Sequence, residues 1–339
     1  DGTMLASGSK DTDVVVWDVV AEAGRCRLQG HKDAVTDLHF IEDQDRPLVL
    51  TTSKDTLAKL WELDTHHCVQ TLVGHRSELW SLAVSEDSSR IVTAGGDTEL
   101  RVWGWRVAEP EPEPEAPEAG EPVSKEVGPV RVLHCLGTLQ RASRARVVTC
   151  RFDTCGAGVL VVQSADKSVE VFRTRDTKEV AKKLKRKEQR KREKAKRNAG
   201  APDPDLTAAD DDSNDTGLTI PKPAQEFEQV VVLRADSKVR SIALSPKLKK
   251  GAGPDGDSDA LTLLMALSNN RLEVHEVKID PKVPVQGRAI KKGGVHLPGH
   301  RSGALSLHQT SHWFVSARFE LCATHTATIC HPQTSGRCA

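Results

Sequence analysis

Three Asp–Trp pairs, Asp11–Trp17, Asp55–Trp61 and Asp97–Trp103, constrain this chain more than any other feature. The two residues stand six apart each time, and successive Trp residues follow at steps of 44 and 42. A Gly-His pair precedes the second and third, Gly30-His31 and Gly74-His75. A period near forty suits a unit of four short strands, because such units stack side by side and bury the faces that one unit alone would leave wet. The pattern predicts an all-β chain, a WD-repeat β-propeller of about five blades plus a partial one. Such a fold usually displays binding surfaces rather than a reactive pocket.

Each pair closes a strand-like stretch. Thr56–Trp61 and Thr98–Trp103 alternate apolar and polar residues, while Val14-Val15-Val16-Trp17 is apolar throughout, as a strand buried on both faces would be. Four residues before each Asp stands a hydroxyl: Ser7, Thr51 and Thr93. This spacing predicts two buried relays, His31–Thr51–Asp55–Trp61 and His75–Thr93–Asp97–Trp103. In each the imidazole donates to the carboxylate and accepts from the hydroxyl side, and the indole N–H donates. A buried polar network stabilises only when every member is satisfied, so the four residues should occur together. The first repeat holds Ser7, Asp11 and Trp17 without a Gly-His. Nucleophilic catalysis is the sharper reading of a hydroxyl, a His and an Asp. It fails because the cluster recurs blade after blade, whereas catalysis needs one copy beside an oxyanion site.

Two later repeats are degenerate. Asp166 is followed six residues on by Phe172, with Val162 at the hydroxyl position, and Asn269 by His275, with Met265 there. Both keep the strand alternation and are expected to lose the polar relay, since replacing every polar member by apolar groups can be nearly neutral. A further repeat opens at Gly299-His300-Arg301-Ser302, and no Asp occurs from Gln309 to the end. That tail holds Cys322, Cys330, Cys338, His325 and His331, with the Cys spaced eight apart rather than at the two to four of a zinc knuckle. The competing expectation is a tail that is not native sequence.

The predicted organisation is three well-formed repeats over 1–105, an acidic Pro/Glu linker over 106–128 and a degenerate blade over 129–175. A basic helix and acidic disordered insertion then span 176–225. A second degenerate blade follows over 226–280, the start of another repeat over 281–307, and the tail over 308–339. The chain opens at Asp1 inside a strand pattern, which predicts that N-terminal blades are missing. An open arc of blades would leave strand edges exposed.

The 48 basic and 48 acidic residues cancel, yet they are segregated. Glu109 to Pro122 holds six Glu and five Pro and predicts an extended, solvated linker. Lys178 to Arg197 holds twelve Lys/Arg against three Glu, in residues that favour helix. Val180 and Leu184 are too few to dock it, so the helix is expected to project into solvent. Lys182, Lys183, Lys185, Arg186, Lys187, Arg190, Lys191 and Arg192 are the candidate contacts with RNA phosphates or an import receptor. The bland alternative is a solvated charged helix. Without interleaved aromatics, any RNA binding by this run should be blind to sequence and sensitive to salt. A second basic surface is expected where the Gly-His loops and Asp turns share a rim, from Lys10, Lys32, Lys54, Arg76 and Lys167.

No stretch reaches the roughly 18–20 apolar residues of a membrane helix, and no apolar signal core opens the chain. Eight scattered Cys suit a reducing compartment, with Cys26, Cys68, Cys135 and Cys150 expected as small buried hydrophobes near strands.

Lys54–Cys68, Val73–Trp80 and Asp97–Trp103, together with the basic insertion and Leu297-Pro298-Gly299-His300-Arg301, carry a resemblance. The chain resembles the tandem-propeller WD-repeat subunits of the UtpB complex of the small-subunit processome, over roughly residues 1–307. The resemblance implies a non-catalytic nucleolar and nuclear scaffold without a cofactor, acting in pre-rRNA processing and 18S rRNA maturation. It implies other UtpB WD-repeat subunits, pre-rRNA and a box C/D snoRNA as partners, with no small-molecule substrate and no membrane. The family's second propeller and helical C-terminal domain are expected to lie outside this sequence, and the tail after Leu307 departs from the family's pattern. The rival reading is a WD-repeat adaptor in ubiquitin ligation or signalling. Such adaptors usually carry a helical adaptor motif or a ring-type zinc domain, and neither appears. An enzyme is the third and weakest reading.

Overall fold

A computed structural model describes residues 2–43, 46–107, 131–153, 156, 158–175, 179–183, 185–186, 189–190, 222–245, 260–269, 271–279, 289–296, 306–309, 314–318 and 326–330. The described residues build six antiparallel sheets in chain order. The first holds β1 (Met4–Gly8), β2 (Val14–Asp18) and β3 (Ala23–Leu28). The second holds β4 (Val35–Asp43), β5 (Arg46–Ser53), β6 (Ala58–Glu62) and β7 (Cys68–Leu72). The third holds β8 (Leu79–Val84), β9 (Arg90–Gly95), β10 (Glu99–Val107) and β11 (Arg131–Gln140). The fourth holds β12 (Val147–Phe152), β13 (Val159–Ser164), β14 (Ser168–Thr174) and β15 (Phe227–Arg234). The fifth holds β16 (Val239–Leu244), β17 (Ala260–Leu267), β18 (Arg271–Lys278) and β19 (Ala289–His296). The sixth is a three-stranded meander of β20 (Ser306–Gln309), β21 (Phe314–Arg318) and β22 (Thr326–Cys330). The arrangement is an incomplete WD β-propeller.

Register aligns the blades. Ser7 faces Val15, Thr51 faces Lys59 and Thr93 faces Arg101, so the three strands of the first sheet correspond to the second to fourth strands of the others. First strands pack neighbour on neighbour, β4 on β8, β8 on β12 and β16 on β20, while β13 meets β16 between the fourth and fifth sheets. Between sheets lie cores of aliphatic side chains. Leu50, Leu60, Leu79, Ile91 and Trp103 share one, and Leu100, Val102, Leu160, Val162 and Phe172 the next. Each such side chain contributes roughly 1.5–3 kcal/mol on burial, so a chain without Tyr still gains cohesion from its Leu and Val.

Polar ties run across the cores. The Cys150 amide donates to Ser81 Oγ at 3.0 Å, and Ser81 Oγ donates to Asp37 Oδ2 at 2.8 Å. This chain joins the first strands of three successive blades. At the outer strands the Gln70 amide bridges both backbone groups of Leu133, at 2.5 and 2.8 Å. One side chain thereby stands in for a strand partner between the second and third sheets.

Several expectations change. The Pro/Glu linker does not separate blades, because β10 before it pairs with β11 after it. The basic insertion likewise interrupts the fourth blade, between β14 and β15. Residues 289–296 complete the fifth blade rather than opening another. Strand pairing resumes past Leu307 in β20–β22. Among the described cysteines only Cys150 is buried, while Cys68 and Cys135 lie exposed on outer strands and Cys26 is half-buried. Burial pushes the Cys150 thiol far above its ordinary range. The zinc candidates' side chains lie outside the described residues. Among the described residues no group of His, Cys, Asp and Glu is arranged to hold a metal.

Candidate functional site

The Gly-His loops and the Asp turns meet at one rim because two antiparallel strands, β4 and β5 or β8 and β9, lead out from each loop and back to its turn. In the second blade His31 Nδ1 donates to Asp55 Oδ2 at 2.8 Å, and His31 Nε2 lies 2.7 Å from Thr51 Oγ1. Trp61 Nε1 donates to the same Thr51 oxygen at 2.9 Å. The carboxylate also accepts the Lys32 and Leu57 backbone N–H groups, both at 3.0 Å. The loop begins at Gly30, whose φ of +151° disfavours other residues. A Cβ there would stand 3.2 Å from the Trp61 ring.

The third blade repeats the arrangement more loosely. His75 contacts Asp97 at 3.2 Å and Thr93 at 2.8 Å, and Trp103 Nε1 donates to Thr93 at 2.8 Å. The Asp55 side chain is 5% exposed and that of Asp97 26%. Burial pushes His31 and His75 below the ordinary imidazole value, against the pull of their aspartates. Burial also opposes ionisation of Asp55 and Asp97, but the hydrogen bonds they accept outweigh it and hold both below the usual carboxylate range. Thr51 and Thr93 are fully buried between an indole and an imidazole, so neither hydroxyl is open to a substrate.

The first repeat forms only a remnant. Trp17 Nε1 donates to Ser7 at 2.9 Å, but Trp17 is 41% exposed. Asp11 instead accepts the Asp13 N–H within its own turn. The expectation of a strand buried on both faces therefore fails at Trp17.

The fourth blade corrects the expectation that its relay is lost. Val162 and Phe172 do make the old hydroxyl and Trp positions apolar and pack in one core. Ser143 stands where His31 and His75 stand, and its hydroxyl donates to Asp166 at 2.9 Å. Glu170, fully buried, accepts the backbone N–H groups of Ala142 and Ser143 and the Gln229 amide. The fifth blade places Glu273 at the equivalent position, contacting His275 at 3.1 Å and Lys291 at 2.8 Å. The signal was available in the sequence. Ser143 precedes Asp166 by 23 residues, between the 24 and 22 of the two His–Asp pairs.

The basic insertion leaves the opposite rim. β14 ends at Thr174, and residues 179–183, 185–186 and 189–190 are helical. The helix is not wholly free of the propeller, since Val180 is 4% exposed and Glu179 pairs with Arg173 at 2.9 Å. Lys182, Lys183, Lys185, Arg186 and Arg190 are exposed. Lys187, Lys191 and Arg192 lie outside the described residues. On the Gly-His rim Lys10, Lys32, Arg76 and Lys167 are exposed and Lys54 is half-buried. Lys167 Nζ is engaged by the Asp236 carbonyl at 2.9 Å. A cavity of about 700 Å³ lies between the third and fourth blades at the insertion's rim. Glu86, Asp87, Asp153 and Glu226 line it, and Arg90 there already pairs with Glu226, so the cavity does not suit a phosphate.

Residues 1–18, 24–62 and 66–104 match the family model of the WD domain, G-beta repeat. The chain carries WD40 repeats. Among curated proteins it is similar to U3 small nucleolar RNA-associated protein 12 of Saccharomyces cerevisiae, 28% identical over 91% of the chain and 33% of that protein. It is similar to transducin beta-like protein 3 of Rattus norvegicus, 34% identical over 31% of the chain and 13% of that protein. Nuclear distribution protein PAC1 of Arthroderma otae is 32% identical over 32% of the chain and 25% of its own length. The chain thus spans about one third of the yeast relative's length and less of the others. No described helix is long and apolar enough to cross a membrane.

Proposed function

We propose that this chain is part of a non-catalytic nucleolar scaffold of small-subunit processome assembly, of the WD repeat-containing protein 3 type. It acts in pre-rRNA processing and 18S rRNA maturation, beside other UtpB WD-repeat subunits and in association with pre-rRNA and a box C/D snoRNA. One observation carries the reading. Relatives that share only the repeats match about a third of the chain, whereas similarity to U3 small nucleolar RNA-associated protein 12 runs through 91% of it. That relative's name states association with U3 small nucleolar RNA. The buried relays support a structural rather than catalytic role for the His, Thr and Asp residues. The exposed cations of the helix, Lys182, Lys183, Lys185, Arg186 and Arg190, serve as phosphate or import-receptor contacts. Lys187, Lys191 and Arg192 are assigned with them from the sequence. Fluorescent tagging tests the reading. The chain should concentrate in nucleoli, and deleting 178–197 should reduce that concentration. A chain that stays cytoplasmic would support the peptide-binding adaptor instead.

A further inference from the structure

Trp80 stands at the start of β8, directly after the Gly74-His75 loop. Lys54 Nζ lies 4.6 Å from the centre of its ring and the Arg146 guanidinium 3.8 Å. Lys54 comes from the β5–β6 turn of the second blade, and Arg146 immediately precedes β12 of the fourth. Three successive blades thus contribute one residue each to a single stack on the Gly-His rim.

The polar groups of this stack are unspent. The other four described tryptophans each donate their indole N–H, to Ser7, Thr51, Thr93 and the Ser88 carbonyl. The Trp80 N–H has no acceptor among the described residues, and the residue is half-buried rather than enclosed. Neither Lys54 nor Arg146 has a carboxylate partner among the described residues. Two cations on one indole are each attracted by its face but repel one another. A polyanion that neutralises both cations removes that repulsion. Lys32, Arg76 and Arg144, which occupy equivalent loop positions in three blades, are exposed on the same rim and extend the positive field.

We propose that the Lys54–Trp80–Arg146 stack binds single-stranded RNA. The Lys54 ammonium and the Arg146 guanidinium hold backbone phosphates, and a base stacks on the guanidinium–indole pair within reach of the free N–H. The proposal rests on the RNA-associated reading above and adds a contact on the rim opposite the basic helix. An acidic peptide would engage the cations and leave the planar surface unused. A nucleotide uses both, because bases stack on aromatic and guanidinium planes alike. Binding here tolerates sequence, since every base offers a π-face.

The test is fluorescence anisotropy with a labelled oligouridylate of about twelve nucleotides, within the span of a stacking groove. The chain is compared intact, lacking 178–197, and with Lys54→Gln/Arg146→Gln, Trp80→Phe or Trp80→Ala. The chain lacking 178–197 should retain salt-sensitive binding. On that background Lys54→Gln/Arg146→Gln and Trp80→Ala should each weaken binding about tenfold, with Trp80→Phe close to the parent. The paired Gln change should also flatten the log–log salt dependence by about 0.7 for each phosphate no longer neutralised. These two side chains pair with no carboxylate, so the change removes only their contacts with the Trp80 ring and the urea midpoint should move little, and the result holds even if Trp80→Ala misfolds. Binding that vanishes with 178–197 and ignores the three rim residues would overturn the stack while sparing the RNA reading. Failure of every form to bind would overturn both. Binding of polyglutamate, abolished in the paired Gln variant, without oligouridylate binding would replace RNA by an acidic peptide.

Discussion

Asp55→Ala is expected to destabilise the chain by about 3 kcal/mol or more, while Asp97→Ala costs clearly less. The first change strips the acceptor from His31 Nδ1 and from the Lys32 and Leu57 N–H groups at a side chain only 5% exposed. Each buried donor left unpaired costs about 1–3 kcal/mol. Asp97 is more exposed, and its hydrogen bonds with His75 and Arg76 are longer, at 3.2 and 3.4 Å, so water replaces more of what the change removes. Urea unfolding followed by tryptophan fluorescence measures both. Material that remains folded should bind RNA like the parent. A fully stable Asp55→Ala chain that no longer bound RNA would make Asp55 part of a binding surface instead of a blade fastener.

Acid is expected to weaken the fold well before the carboxylates titrate. His31, His75 and His134 are held below their ordinary value chiefly by burial, so the folded chain keeps them neutral where the unfolded chain takes up protons. Stability therefore rises with pH in that interval and is lost as pH falls below about 6.5. The limiting slope is about 1.4 kcal/mol per pH unit for each histidine. Asp55 and Asp97 have lowered folded values, so their contribution is complete above about pH 4 and drains away below it. Urea midpoints between pH 7 and 5 test this, with His31→Gln/His75→Gln flattening the dependence. Equal midpoints at pH 7 and 5 would show that the imidazoles protonate freely in the folded chain.

How much was legible depended on whether a position repeats its chemistry. Thr51, Asp55 and Trp61 recur as Thr93, Asp97 and Trp103, and their spacing alone placed the strands β5–β6 and β9–β10. The fourth blade was misread because its relay changed residue type at every position except Asp166. Ser143 replaced His, Val162 replaced Thr, Phe172 replaced Trp, and the burden moved to Glu170. Fourth strands were misread for a different reason. β11 and β15 pair with strands that precede long charged segments, and nothing local in Arg131–Gln140 or Phe227–Arg234 records which blade they complete. Trp80 was invisible as a site because its meaning comes from Lys54 and Arg146, which lie in other blades.

The basic helix and the Gly-His rim occupy opposite ends of the strands, so their contributions to RNA contact can be separated in cells. The most direct measurement is ultraviolet crosslinking with sequencing of the bound RNA, on the chain with and without residues 178–197. Pre-rRNA and small nucleolar RNA reads should fall when the insertion is removed, with a remainder held by the rim. Absence of these RNAs from both forms would contradict the scaffold reading and leave a propeller whose partners are proteins alone.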